Sequence, residues 1–133
     1  MNSEFKNEIL MDGFLVSKDL ENKKFTTGSD TIALTQFDSG IFIDFEILTS
    51  GKAINWNNGR YTVKVTFKNG EKVVIERKDC KLQADGKWRY EITTDLTDIP
   101  GNNVRGILDV ENAGVRVASS QFEIMILEHL ATK

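Results

Sequence analysis

Along "IFIDFEI", residues 41 to 47, Ile41, Ile43, Phe45 and Ile47 alternate with Phe42, Asp44 and Glu46. A period of two describes a strand with one dry face and one wet face. Just ahead of it the apolar run "IALT" is interrupted by Gln36 and the turn-like "FDSG". Further strand-like runs fall near residues 31–36, 40–48, 61–67, 71–77, 79–83, 87–94, 104–110, 115–118 and 121–127, with Gly- or Asn-containing turns between many of them. Short strands at this spacing predict an antiparallel sandwich or barrel. Pro100, in "DIPGNN", marks a loop.

The turns can be tested by register, because a slip of one residue exchanges the two faces. In "YTVKVTFKNGEKVVIER" a three-residue Lys68-Asn69-Gly70 loop with Gly70 left-handed pairs Val65 with Val73, Val63 with Ile75 and Phe67 with Glu71. In "CKLQADGKWRYEI" the same device, with Gly86 left-handed, pairs Leu82 with Trp88 and Cys80 with Tyr90, which makes Cys80 a small core residue. In "GILDVENAGVRVA" a four-residue loop from Glu111 to Gly114 matches Val110 with Val115 and Leu108 with Val117. Val115 and Val117 are odd, whereas Phe122, Ile124 and Ile126 are even, so the strand must bulge or change sheet across Ala118-Ser119-Ser120.

The first 30 residues follow another pattern. "SEFKNEILM" predicts a short helix ended by Asp12-Gly13, "FLVS" a short strand, and "KDLENKKFTTGSD" a polar connection. The chain therefore divides into an N-terminal arm, residues 1–30, and a β-sandwich domain, residues 31–133. The arm either packs on the sandwich or docks on a neighbour through Phe5, Ile9, Leu10, Phe14 and Val16.

Composition narrows the function. A chain of 133 residues forms one domain that buries roughly two thirds of its unfolded surface. No apolar run approaches the ~18 residues that span a bilayer, and "MNSEFKNE" lacks the apolar core of a secretory signal. A net charge of −3 argues against nonspecific phosphate binding, so neither nucleic acid nor a membrane is expected as a partner. Cys80 is the single cysteine, which excludes an intramolecular disulfide and suits synthesis in a reducing cytoplasm. With His129 as the only histidine, a Cys/His zinc site within one protomer is excluded, and a terminal His reads as solvated.

Candidate chemistry is sparse. Asp44 and Glu46 share one strand face, as glycosidase carboxylates can, but alternation requires polar residues there anyway. Asp95 and Asp98 lack EF-hand spacing, Ser119-Ser120 lacks a partner histidine, and no phosphate-binding glycine motif occurs. No catalytic residue, metal or cofactor is expected, and the chain reads as a non-enzyme. Trp56, with Asn57, Asn58 and Arg60, offers a mixture suited to sugar stacking or to a protein hot spot; equally, Trp56 could plug a sandwich end.

Residues 30 to 127 resemble the N-terminal domain of phage baseplate upper proteins. The resemblance is carried by "LTQFDSGIFIDFEILTSGKAINW", "YTVKVTFKNG", "DGKWRYEI" and "GILDVENAGVRVASSQFEIMI", in that order. It implies an immunoglobulin-like sandwich and a structural attachment role in the virion, joining the tail hub to receptor-binding proteins. The implied partners are other baseplate or tail proteins, with copies repeating as a homo-oligomer in the particle, made in the bacterial host cytoplasm. The arm of about 30 residues is longer than the family pattern needs, and no receptor-binding segment follows. Two other readings share the same surface: a carbohydrate-binding sandwich using Trp56, and a small phage-encoded inhibitor.

Overall fold

The computed structural model describes residues 13–19, 24–25 and 31–129. Its strands are β1 (Gly13–Asp19), β2 (Lys24–Phe25), β3 (Thr31–Thr35), β4 (Phe42–Thr49), β5 (Lys52–Ala53), β6 (Tyr61–Asn69), β7 (Lys72–Asp79), β8 (Lys81–Leu82), β9 (Trp88–Glu91), β10 (Gly101–Asn112) and β11 (Val115–Leu127). A 3-10 turn (Trp56–Asn58) and a one-turn helix α1 (Thr94–Thr97) complete the described elements. Period-two alternation sorts each strand into two faces, and two sheets close over the apolar ones. One sheet has the order β2-β1-β4-β9-β8, with β5 against β4; the other has the order β3-β11-β10-β6-β7.

The core is the alternation made physical. Ile43, Phe45 and Ile47 from β4 face Val63, Val65 and Phe67 from β6, Leu108 and Val110 from β10, and Phe122, Ile124 and Ile126 from β11. Phe45 and Phe67 both pack on Phe122, with ring centroids 5.3 and 5.9 Å apart. Gly106 lies under the Phe122 ring, where any β-carbon would collide with it, so this strand position must be glycine.

The all-β sandwich stands, but its sheets are mixed rather than purely antiparallel. β1 runs parallel to β4, and β3 runs parallel to β11. Antiparallel neighbours follow from tight turns, whereas more than twenty residues separate β1 from β4, a connection long enough for a parallel pair.

The structure also corrects part of the arm. Val16 is buried in the core and Phe14 packs half-buried beside it, because β1 pairs with β4 from Gly13↔Phe42 to Asp19↔Leu48. Val16 is therefore a core residue and not a docking contact. Phe5, Ile9 and Leu10 lie outside the described residues.

Two registers differ from expectation. β6 and β7 close at Asn69↔Lys72, leaving Gly70-Glu71 as the loop, and Phe67 lies opposite Ile75 instead of Glu71. Gly70 is left-handed as expected, at φ 63°, and the bulges along this pair put Phe67 and Ile75 on one buried face. β10 and β11 turn through Ala113-Gly114, both with positive φ, in the manner of a type I′ turn. Asn112 then lies opposite Val115, Leu108 opposite Ser120, and Val117 is bulged out between Arg116 and Ala118. The expected break in phase is real and falls just before Ala118. Its effect is to expose Val115 and Val117, which sequence phase had placed inward. The third register agrees: Leu82 pairs with Trp88, and Gly86 is left-handed at φ 90°.

Candidate functional site

Each end of the sandwich carries an aromatic residue in a turn. At one end the 3-10 turn presents Trp56, capped by the Asn55 side chain, which accepts a hydrogen bond from the Asn57 N–H at 3.0 Å. The Trp56 ring stands edge-on between Tyr61 and Trp88, with centroids 5.2 and 5.3 Å away. Its Nε1–H donates to the Gly86 carbonyl at 3.1 Å. Asn57 and Arg60 are exposed beside it, and Asn112 Oδ1 accepts from the Arg60 N–H at 3.1 Å. The backbone of Asn58 completes the 3-10 turn. Trp56 is thus a half-buried plug held by three partners.

The other end is built differently, and here the purpose of the polar "TQFDSG" turn emerges. Gln36 N–H donates to the Leu127 carbonyl at 2.7 Å, so alternate backbone groups of β3 bond towards β11. Thr35 therefore points the other way, to the free side of β3. Its N–H donates to Asp38 Oδ2 at 2.9 Å, and its carbonyl accepts from the Asp38 N–H at 3.0 Å. The turn caps an edge strand that carries no charge of its own.

The same turn ties three chain segments together. The Gln36 amide donates to the Asp98 carbonyl at 2.9 Å, and its Oε1 accepts from the His129 N–H at 3.3 Å. Phe37 N–H donates to the Thr97 carbonyl, and the fully buried Thr97 hydroxyl donates back to the Asp38 carbonyl at 2.7 Å. These bonds hold Phe37 at φ 76°, a left-handed conformation that is costly for an aromatic residue.

What that strain produces is an aromatic ring pointing outward. Phe37 is 48% exposed, alongside Ile99 at 51% and Leu127 at 49%. The His129 ring lies 6.3 Å from the Phe37 ring and is half-buried rather than solvated. An open groove of about 470 Å³ continues past Leu127, lined by Pro100, Gly101, Asn102, Met125, Ile126 and Glu128. Single exposed apolar residues are ordinary; here three belong to segments that the Gln36 and Phe37 bonds tie together at one end. None of these three was read as a site residue. The available signal was Phe37 itself, an aromatic inside a polar turn where no strand face could bury it.

Elsewhere several charged residues are engaged. Arg89 forks onto Asp44 at 2.7 and 3.0 Å and lies over the Phe42 ring, 4.6 Å from its centroid. The Asp44 hydrogen bond holds the guanidinium charged more firmly than usual. Glu46 accepts from the buried Ser17 hydroxyl at 2.7 Å. The carboxylates of Asp44 and Glu46 are thus each held by a neighbour on the outer face. Arg77, left-handed at φ 48° on the edge strand β7, pairs with the buried Glu111, and Arg77 and Arg116 flank the buried Asp109. Burial pushes the Cys80 thiol up to about 12, with the nearby Asp79 charge adding to it. Such a thiol is a packing group and carries almost no thiolate near neutrality.

These features define an all-β, two-sheet module with one plugged end and one apolar end. A solved structure of similar fold is the N-terminal domain of phage TP901-1 ORF48, at 12% identity and a TM-score of 0.62, covering 88% of this chain and 99% of that one. No protein-family model matches the sequence. No curated protein matches it either.

Proposed function

We propose that this protein is a structural attachment module of a phage particle, working through protein–protein contact at the Phe37 end. The observation that carries the reading is Phe37, held left-handed by its neighbours' backbone and half exposed, in a turn bonded to the Thr97, Asp98 and Leu127 carbonyls. Strain of this kind persists only where surrounding structure enforces it, and exposed aromatics on rigid supports are the usual anchors of interfaces. The shared fold with a phage protein's N-terminal domain supports the setting. The sequence resemblance to baseplate upper proteins supports the finer role, joining the tail hub to receptor-binding proteins in the virion as one of several copies.

The strand order supports an immunoglobulin-like reading as well. β1-β4-β9-β8 and β11-β10-β6-β7 follow the A-B-E-D and G-F-C-C′ orders of that fold, with the parallel β1–β4 pair as the departure. A carbohydrate module would ask Trp56 for an open ring, and that ring is instead half-buried, perpendicular to the Tyr61 and Trp88 rings, with its Nε1–H spent on the Gly86 carbonyl. The test is co-expression with the products of neighbouring genes, followed by affinity capture. The intact chain should retain a tail protein, and Phe37→Asp with Leu127→Asp should lose it while still folding. Retention by that variant would remove the apolar end from the role.

A further inference from the structure

The hairpin of β10 and β11 runs the length of the sandwich. Its open end belongs to the Phe37 end, where the Leu127 carbonyl accepts from the Gln36 N–H. Its turn, Ala113-Gly114, belongs to the Trp56 end, where Asn112 pairs with Tyr61 and the Ala113 N–H donates to the Arg60 carbonyl. The 12 residues of β10 set the two ends roughly 35 Å apart.

The turn end has exposed apolar residues of its own. Val115 and Val117, on either side of Arg116, are 65% and 55% exposed, more than any other large apolar side chain described. The two ends also differ in charge. At the Phe37 end the described connecting segments are 36–41, 70–71, 92–100 and 128–129. They hold Asp38, Glu71, Asp95, Asp98 and Glu128, and no lysine or arginine. Lys72, which opens β7 and lines a groove with Asp95 and Asp98, offsets one of these charges. At the Trp56 end the described segments 50–60, 83–87 and 113–114 hold Lys52, Arg60 and Lys87, and one acid, Asp85, which is paired with Lys87 at 3.3 Å. Arg116 adds an exposed cation, 3.9 Å from the buried Asp109. The side chains of Asp98, Glu128, Lys52 and Arg60 form no ion pair with a described residue.

We propose that these two ends bind one another between copies, the Phe37 end of one molecule seating on the Val115–Val117 turn end of the next. The inference rests on the reading of the Phe37 end as a contact surface and names a second copy of this chain as its occupant. Burial of the apolar residues supplies affinity, and the opposite charges set the orientation. Two Phe37 ends facing each other would oppose acid to acid, so charge disfavours a two-fold contact there. Within one molecule the surfaces are too far apart to meet. A contact between unlike surfaces continues as a row or closes as a ring. In an open row the terminal copy keeps its Phe37 end uncovered for a different tail protein.

The test is sedimentation of the full chain and of two surface variants, each checked for folding by circular dichroism. One variant is Phe37→Asp with Leu127→Asp; the other, the turn variant, is Val115→Asp with Val117→Asp. The parent should self-associate, and about tenfold more weakly once salt screens the charges. Each variant alone should stay monomeric. Their equimolar mixture should give a one-to-one dimer, since each supplies the surface that the other has lost. A monomeric parent, association indifferent to salt, a turn variant that associates alone, or a mixture that stays monomeric overturns the proposal. Capture of the tail protein by the turn variant reads the Phe37 end by itself. A failed mixed dimer beside intact capture therefore removes this contact and not the attachment role.

Discussion

The two ends of the sandwich solve the same problem in opposite ways. Both must close an open core with a turn that carries an aromatic residue. At the Trp56 end the ring is drawn in: it packs perpendicular to two aromatics, and a carbonyl satisfies its one polar atom. At the Phe37 end the polar atoms of Gln36, Asp38 and Thr97 do the closing, and the ring is turned out. A closure made of hydrogen bonds leaves an aromatic free for another use. A closure made of aromatics does not. The residue type most suggestive of binding is thus half-buried and held by three partners here, and the less conspicuous phenylalanine is the more exposed of the two.

The largest effect expected concerns the strand that enters at the Phe37 end. β1 begins at Gly13 beside Phe42, places Val16 in the core and buries Ser17 against Glu46. Burying Val16 alone contributes about 1.5–3 kcal/mol, and the ladder to β4 adds to it. Removal of residues 1–19 should abolish the cooperative thermal transition seen by circular dichroism. A truncated chain that still melts cooperatively would show that the sandwich closes without β1.

Next comes the direct contrast of the two aromatics. Trp56→Ala should cost about 2–4 kcal/mol, below the cost for a fully buried Trp because the ring is half-exposed. Phe37→Ala should cost less than about 1 kcal/mol. Urea unfolding of both variants checks the pair. Equal losses would mean that the Phe37 ring is a plug too.

Cys80 lies between the ends and supplies a global reference. Its thiol is held up to about 12 in the folded chain against an ordinary value of 9.0. The folded state keeps a proton that the unfolded state gives up, so this contribution is complete below pH 9 and is lost as pH rises towards 12. Stability should fall by about 1.4 kcal/mol per unit over that window. Tyr90, also raised from its ordinary 10.0, adds to the fall above pH 10. Cys80→Ala should flatten the slope between pH 9 and 10, measured by urea unfolding at each pH. The native thiol should also resist alkylation at pH 8 until the chain is unfolded.

How much of this was legible in sequence follows from which interactions are local. Alternation alone placed Ile43, Phe45, Ile47, Phe122, Ile124 and Ile126 in the core, because a strand with one dry face leaves no other choice. Gly70 and Gly86 announced their turns, since left-handed backbone favours glycine. The β6–β7 register was missed because bulges move the pairing without changing the sequence pattern. β1 was left open as an arm because its partner lies far away in the chain and joins it in parallel, with no turn to mark the pairing. The Phe37 surface was hidden for a related reason. Its conformation is set by Thr97, Asp98 and Leu127, which "QFDSG" contacts only after folding.

The smallest effect on stability gives the sharpest test of the comparison. Phe37→Gly removes a half-exposed ring and, at the same position, the penalty of holding a β-carbon in left-handed backbone. The lost contacts destabilise, the relieved strain stabilises, and the more flexible unfolded chain takes back part of the gain. The net change should lie within about 1 kcal/mol of zero. The turn itself should persist, because its bonds run through the Phe37 backbone and the Gln36, Asp38 and Thr97 side chains, none of which the change touches. Amide exchange at Asp38 and Gly40 should therefore match the parent chain, while capture of the proposed partner should fall by tenfold or more, the loss expected of an interface anchor. Trp56→Gly should give the reverse: a large loss of stability, and partner capture intact at temperatures where the variant is folded. If Phe37→Gly keeps its partner, the outward ring is strain without a use, and the groove beside Leu127 is the part of this end left to hold a contact.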